Sequence, residues 1–365
     1  MSDKVRNVFV TIVFLSIIIG FFIVSIIKKD TLISVTERRK LATFPKISIQ
    51  TIINGDFADG FENYTMDQFI YRDKFRQAKT FVELNLFGKN DIDNLYVYDD
   101  MLIKQEYPLN EKSVLNITKK INNIKQNYLD DTNNVYYTII PDKNYYVENE
   151  KYLKIDYSKV EEVLSKHLSN MEYINILDCL SLEDFYYTDT HWKQENLGKV
   201  FDKISTYMNF NDRIKNKFYE VEISKFNGVY SGQLQVKTKE DTIKILTNDI
   251  IENAKVYNHE NKKTTKIYDL EKLKSNDKYD IFLSGATPLL TIENEKTTTN
   301  RELIVFRDSY GSSLIPLFIE GYSKITVVDT RYISTSLLGE YIDFKNKDVL
   351  FMYSILVINN SGTLK

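Results

Sequence analysis

A single cysteine, Cys179, stands in the 365 residues of this chain. It cannot close an internal disulfide, and a CxxC or Cys/His zinc cluster is excluded. Its neighbours Ile176, Leu177 and Leu180 are apolar, which predicts a small buried core side chain. A surplus of basic charge is also lacking: 48 Lys and Arg against 51 Asp and Glu leave a net charge of −3. Without a basic field to hold a polyanion, no nucleic-acid partner is expected. Proline (5) and glycine (12) are sparse, whereas Tyr (26), Phe (21), Lys, Asn and Ile abound, a bias that reads as mainly genomic. There is no internal repeat and no low-complexity tract.

Histidine and tryptophan are rare as well, and that rarity draws attention to where they fall. Of three histidines, His191 lies two residues after Asp189 and directly before the lone Trp192. A carboxylate this close can fix the imidazole tautomer, leaving the other ring nitrogen to take a proton from a hydroxyl nucleophile. Taken alone, the pair reads equally well as a loop capped by local hydrogen bonds. Asp-x-His also opens binuclear metal sites, but those need further ligands, and His167 and His259 lie among charged or amide residues that predict solvent-facing rings. No metal is therefore expected. Trp192 is read first as a packing residue and second as a sugar platform.

From Val8 to Ile27 the chain is apolar except for Thr11, Ser16, Gly20 and Ser25, and carries no charge. At ~1.5 Å per residue this run reaches about 30 Å, enough to cross a bilayer core. Ile26-Ile27-Lys28-Lys29 follows where a signal peptidase would want small residues, so residues 8–27 are expected to be an uncleaved membrane anchor. Lys4 and Arg6 precede it, whereas Lys28, Lys29, Arg38, Arg39 and Lys40 follow. That bias opposes an extracytoplasmic C-terminal part, although long C-terminal domains translocate largely regardless of it.

Residues 1–30 thus form an anchor and residues 31–94 a juxtamembrane segment. Between Phe57 and Leu86 apolar residues recur at helical spacing, predicting one or two amphipathic helices packed on a larger body. From residue 95 to 365 short apolar runs alternate with helical stretches. Strands are predicted at 135–140, 173–177, 281–283, 303–306, 325–328 and 349–353. Helices are predicted at 158–168, capped by Ser158, and at 195–208 and 312–319. This alternation argues for an α/β fold, a three-layer parallel sheet with helices on both faces, interrupted at about 221–275 by a mainly β insertion.

Active sites of such sheets gather at the carboxyl ends of strands. After the strand ending at Phe306 comes Arg307-Asp308-Ser309-Tyr310-Gly311 and then a helix, so Ser309 falls in a strand-to-helix turn. Its N–H, with those of Tyr310 or Gly311, would face a developing oxyanion. The residues are not G-x-S-x-G, but the turn has the logic of a nucleophile elbow.

Five segments now stand in order: Glu37-Arg38-Arg39-Lys40-Leu41-Ala42-Thr43-Phe44-Pro45, Ile140-Pro141-Asp142-Lys143, Tyr187-Thr188-Asp189-Thr190-His191-Trp192, Arg307-Asp308-Ser309-Tyr310-Gly311 and Asp329-Thr330-Arg331-Tyr332. Together they resemble the DHHW proteins and the alginate O-acetyltransferase group, whose domain is a circularly permuted SGNH-hydrolase-like (flavodoxin-like) fold. The resemblance implies Ser309 as nucleophile, His191 as base and Asp189 as its orienter, with Arg307, Arg331 and Tyr332 near the site. It implies no cofactor. It also implies a membrane-anchored extracytoplasmic acetyltransferase or acetylesterase acting on a cell-surface polysaccharide, with a membrane-bound O-acyltransferase partner as acetyl donor. Ser284-Gly285-Ala286 stands where the family's glycine-asparagine pair is expected, so an amide donor to the oxyanion is missing. Two other readings follow: a catalytically decayed glycan-binding or scaffolding protein, and an esterase for small secreted substrates.

Overall fold

A computed structural model of the chain describes residues 3–236, 238–297 and 299–365. The chain divides into two compact units, residues 1–92 with 231–237, and residues 93–230 with 238–365.

The first unit begins with α1 (Asp3–Ile27), a helix long and apolar enough to cross a membrane, with none of its apolar stretch buried. The predicted amphipathic run becomes α2 (Asp56–Asp67) and α3 (Arg72–Phe81), the latter continued by a π-helical turn, Val82–Leu86. Arg72 joins α3 to Glu37 at 2.6 Å, and Arg39 reaches Asp67 at the end of α2. Phe61, Phe69, Phe75 and Phe81 of this run are exposed.

The second unit is built on one eight-stranded sheet. Its strands are β1 (Asn134–Ile140), β2 (Glu172–Tyr173), β3 (Lys255–Asn258), β4 (Lys263–Thr265), β5 (Leu289–Glu293), β6 (Glu302–Arg307), β7 (Lys324–Val328) and β8 (Asp348–Ser354). Their spatial order is β4-β3-β5-β7-β6-β8-β1-β2. From β7 to β2 the sheet is parallel, as the continuous apolar runs predict. Beyond β7 it is not, for β5, β3 and β4 each pair antiparallel with their neighbour. Connection length explains the difference. The β3–β4 turn and the 294–301 link from β5 to β6 are too short for the crossover of about a dozen residues that a parallel return requires.

Helices α4 (Glu111–Tyr128), α5 (Tyr157–His167), α6 (Gly198–Tyr207) and α7 (Gly311–Leu314) accompany the sheet. Strand residues alternate between two buried clusters. Leu303, Val305, Leu350 and Met352 pack with Val200 and Ile204 of α6, whereas Ile304, Phe306, Val349 and Phe351 pack with Ile117 of α4 and Val160 of α5. This period of two is what burial on both faces of a sheet demands.

Several local expectations are revised. The cap of α5 is Asp156, whose carboxylate accepts the Lys159 N–H, not Ser158. Residues 281–283 form no strand: a 3-10 turn ends at Ile281, and Leu283, Ser284 and Gly285 follow with φ of 52°, 59° and 81°. Only Gly285 takes such a left-handed angle without steric cost. The predicted β insertion at 221–275 splits. Tyr219–Phe226 pairs with Asp241–Thr247 in a separate hairpin, while β3 and β4 complete the edge of the main sheet. Cys179 is half-buried rather than core, and His259 is half-buried with Nε2 2.8 Å from the Thr291 hydroxyl. His167 is exposed.

Candidate active site

The serine turn is tied down by the carboxylate before it. Asp308 Oδ1 accepts the Tyr310 N–H (3.0 Å), its Oδ2 accepts the Ser354 N–H (2.7 Å), and its carbonyl accepts the Gly311 N–H (3.1 Å). The turn after β6 is thereby fixed to the end of β8. A Cβ on Gly311 would lie 2.8 Å from Arg307 Cβ and 2.9 Å from Met352 Cε, so the close approach needs glycine. These bonds revise the expected oxyanion site. Tyr310 and Gly311 spend their N–H groups on Asp308, and only the Ser309 N–H has no partner among the described residues.

The Asp189/His191 segment is a hairpin in which Phe185 bridges Trp192 and the Tyr186 N–H donates to the His191 carbonyl (3.1 Å). Asp241 holds its outgoing arm by accepting the N–H groups of Tyr187 (2.6 Å) and Thr188 (2.7 Å). Burial pushes the Asp241 carboxyl up, and these bonds counter that. From the next segment the Gly228 N–H donates to Thr188 Oγ1 (2.6 Å) and the Val229 N–H to Asp189 Oδ2 (3.0 Å). A Cβ on Gly228 would stand 2.4 Å from Asp189 Cα.

The three candidate residues meet. Asp189 Oδ1 lies 2.6 Å from His191 Nδ1, and His191 Nε2 lies 2.8 Å from Ser309 Oγ. With Asp189 only 1% and His191 7% exposed, little water competes for either bond. The carboxylate calls for the proton on Nδ1, which leaves the Nε2 lone pair facing the serine hydroxyl.

A polar and aromatic frame surrounds this line. Tyr279 stacks on the His191 ring, centroids 3.8 Å apart and 5° from parallel, and its hydroxyl donates to Ser313 Oγ (2.8 Å). The Trp192 indole N–H lies 2.9 Å from the same oxygen and 3.1 Å from the Tyr310 carbonyl. The Tyr310 hydroxyl donates to the Thr190 carbonyl (2.7 Å). Behind the hairpin, the buried Lys143 ammonium donates to the carbonyls of Leu102 (2.9 Å) and Tyr187 (3.4 Å); burial pushes its pKa down to about 7, against the pull of Asp189 and Asp241.

The remaining expected site residues are engaged by other partners. Trp192 is fully buried in the core, so it offers no face to a sugar. Arg307 is also fully buried, with Nη1 3.3 Å from Asp329 and Nη2 donating to the Gly285 carbonyl (3.1 Å). Arg331 grips Asp329 with Nε (2.9 Å) and Nη2 (2.7 Å), so both guanidinium groups serve one carboxylate. Tyr332 is half-exposed under the Arg331 guanidinium. Ala286, where an asparagine is expected, is exposed and offers no side-chain donor. Sequence reasoning did not find Tyr279, Asp241 or the Val229 N–H, and it gave Lys143 no role beyond its place in a motif. Lys143 alone carried a signal, as a charged residue closing an apolar strand in Ile140-Pro141-Asp142-Lys143.

Fold and site together define an α/β protein with an aspartate–histidine–serine line across the carboxyl ends of parallel strands. The chain matches the family described as DHHW protein over residues 94–328 and belongs to that family. No curated protein matches it. Among solved structures it is similar to a DHHW family protein from Eubacterium siraeum (17% identity, 75% of this chain and 94% of that one, TM-score 0.58). Bacillus cereus PatB1 is similar to the same degree (14% identity, 73% and 97%, TM-score 0.58). The O-acetyltransferase domain of Pseudomonas putida AlgJ overlaps more loosely (11% identity, 73% and 92%, TM-score 0.46). At these identities the first two likenesses establish the fold.

Proposed function

We propose that this chain is a serine-dependent O-acetyltransferase or acetylesterase acting on O-acetyl groups of a cell-surface polysaccharide. One observation carries the reading: a single imidazole within hydrogen-bond reach of both a buried carboxylate, at 2.6 Å, and a serine hydroxyl, at 2.8 Å. Ser309 Oγ attacks the acetyl carbonyl carbon while its proton passes to His191 Nε2. Asp189 stabilises the resulting imidazolium, and the oxyanion forms beside the Ser309 N–H. Collapse expels the donor oxygen, which takes the proton from Nε2, and leaves an acetyl ester on Ser309. A sugar hydroxyl or water, deprotonated by His191, attacks that ester and releases the serine. The polysaccharide, and an O-acyltransferase of the membrane as acetyl source, follow from the family resemblance. We read the sheet as a circularly permuted SGNH-hydrolase-like layer between helices, because the Asp/His pair precedes the serine in the chain. We read α1 as an anchor that holds the rest of the chain outside the cytoplasm.

The test uses the full chain in detergent, with a chromogenic acetyl ester and a fluorophosphonate probe. Labelling and turnover that both vanish in Ser309→Ala support the mechanism; undiminished turnover in that variant sinks it. A second reading has its own observation: two of the three expected oxyanion N–H groups are spent on Asp308, and Ala286 stands where an amide side chain is expected. Losing such a donor costs about 100- to 1,000-fold. On that reading the chain binds glycan or scaffolds an envelope complex without turnover. Absence of both labelling and turnover in folded protein that retains glycan binding would establish it.

A further inference from the structure

The first unit contains an apolar surface that its own fold leaves uncovered, and α1 itself indicates what covers it. Phe21, within the apolar run of α1, stacks on Phe69 with centroids 5.6 Å apart and meets the edge of Phe75 at 5.9 Å; Phe69 and Phe75 touch each other at 5.6 Å. The Lys28 ammonium, just past the end of α1, lies 3.3 Å from the Gln68 carbonyl. The start of α3 is thus held against the last turns of the helix that has the length and composition of a membrane span. Phe21 precedes Ile27 by six residues, about 9 Å of helix, close to the ~5–10 Å to which the apolar face of an interfacial helix sinks.

α3 is also two-sided in the way such a helix needs. On one side Arg72 and Arg76 bind Glu37, at 2.6 and 3.5 Å, and Arg76 donates to the carbonyls of Gly232 and Gln233. At about 3.6 residues per turn, Phe75 and Ala78 share another arc, flanked by Lys74 and Lys79, whose stems can lie along apolar surface while the ammonium groups reach phosphates. Phe75 is 50% exposed, Phe81 61%, and Leu86 in the following π turn 69%. A group of large apolar side chains this exposed marks an interaction surface.

We infer that α3 and its π-helical extension lie in the interface of the same bilayer that α1 spans, with Phe69, Phe75, Ala78, Phe81 and Leu86 among the lipid. This rests on the reading of α1 as a membrane span. The surface fits lipid because its apolar face continues from a ring already inside the span.

The test is made on the full chain carrying Cys179→Ser, reconstituted in phosphatidylcholine–phosphatidylglycerol vesicles. Single cysteines replace Ala78, Gln77 about 100° round α3 from it, and Ile17 within α1, and each carries an environment-sensitive nitrobenzoxadiazole label. The label at 78 is expected to emit at shorter wavelength than the label at 77, and to lose most of its emission when the lipids carry nitroxide on their acyl chains. A solvent-like, unquenched label at 78 beside a quenched label at 17 overturns the interfacial placement and leaves the span intact. Unquenched labels at both 78 and 17 remove the span and this inference with it. A blue-shifted label at 78 that lipid nitroxides do not quench means that protein, such as a second copy of the chain, covers the surface, and overturns the inference as well.

Discussion

The ring of Tyr279 lies flat on that of His191, 3.8 Å away and 5° from parallel, while its hydroxyl is tied to Ser313. Removing the ring frees the imidazole to tilt away from Ser309 without disturbing either hydrogen-bonding atom directly. Tyr279→Ala is expected to lower kcat on the order of 100-fold with little change in KM, because a small misplacement of a reacting group costs about that much. Tyr279→Phe keeps the stack and should retain most activity. Steady-state ester hydrolysis by both variants checks this, and equal losses would assign the effect to the hydroxyl instead.

Asp189 accepts from His191 Nδ1 on one oxygen and from the Val229 N–H on the other. An Asp189→Asn carboxamide must aim its NH₂ at one of two donors. The expected result is a folded protein with kcat reduced about 10⁴-fold, the loss that follows when the imidazole is held in the wrong tautomer. Circular dichroism beside the rate measurement separates this from unfolding.

Gly228 has no room for a side chain, since its Cβ would stand 2.3 Å from Asp189 Cβ and 2.4 Å from its Cα. Gly228→Ala must push the Asp189 backbone away from His191. A fall in kcat on the order of 100-fold is expected, with slower fluorophosphonate labelling of Ser309. Labelling at the unaltered rate would show that the loop yields without moving the carboxylate.

Burial pushes the Lys143 ammonium down to about 7, whereas the unfolded chain titrates it near 10.5. Between those values the unfolded state carries a proton that the folded state lacks. Stability therefore rises with pH across that window, by up to about 1.4 kcal/mol per pH unit from this group, and the penalty is fully present below pH 7. Urea midpoints followed by Trp192 fluorescence between pH 7 and 10 should show a steeper upward slope in the parent chain than in Lys143→Met. Identical slopes would mean that Lys143 stays charged when folded.

What the sequence reveals follows from where each signal resides. β1, β6, β7 and β8 are legible because burial on both faces demands unbroken apolar runs, and Asp189, His191 and Ser309 are legible because their side chains do the bonding. The frame is not. Tyr279 sits in a 3-10 turn without periodicity, the Val229 contribution is a backbone N–H that any residue but proline would supply, and Asp241 lies 53 residues beyond the Thr188 it holds. The apolar triplet 281–283 imitates a strand, but Leu283 already turns into the left-handed region. Arg307 and Arg331 read as site residues through the family resemblance alone, and Asp329 engages both.

β8 is the last strand in chain order, and it lies between β6, which carries the serine turn, and β1. Its final residue, Ser354, donates the N–H that Asp308 needs to hold that turn. During synthesis α1, Asp189, His191 and Ser309 are therefore all made before the strand that joins the two halves of the sheet. An emerging chain shorter than this carries all three side chains but lacks the Ser354 N–H that ties Asp308, and with it the Ser309 turn, to the end of β8.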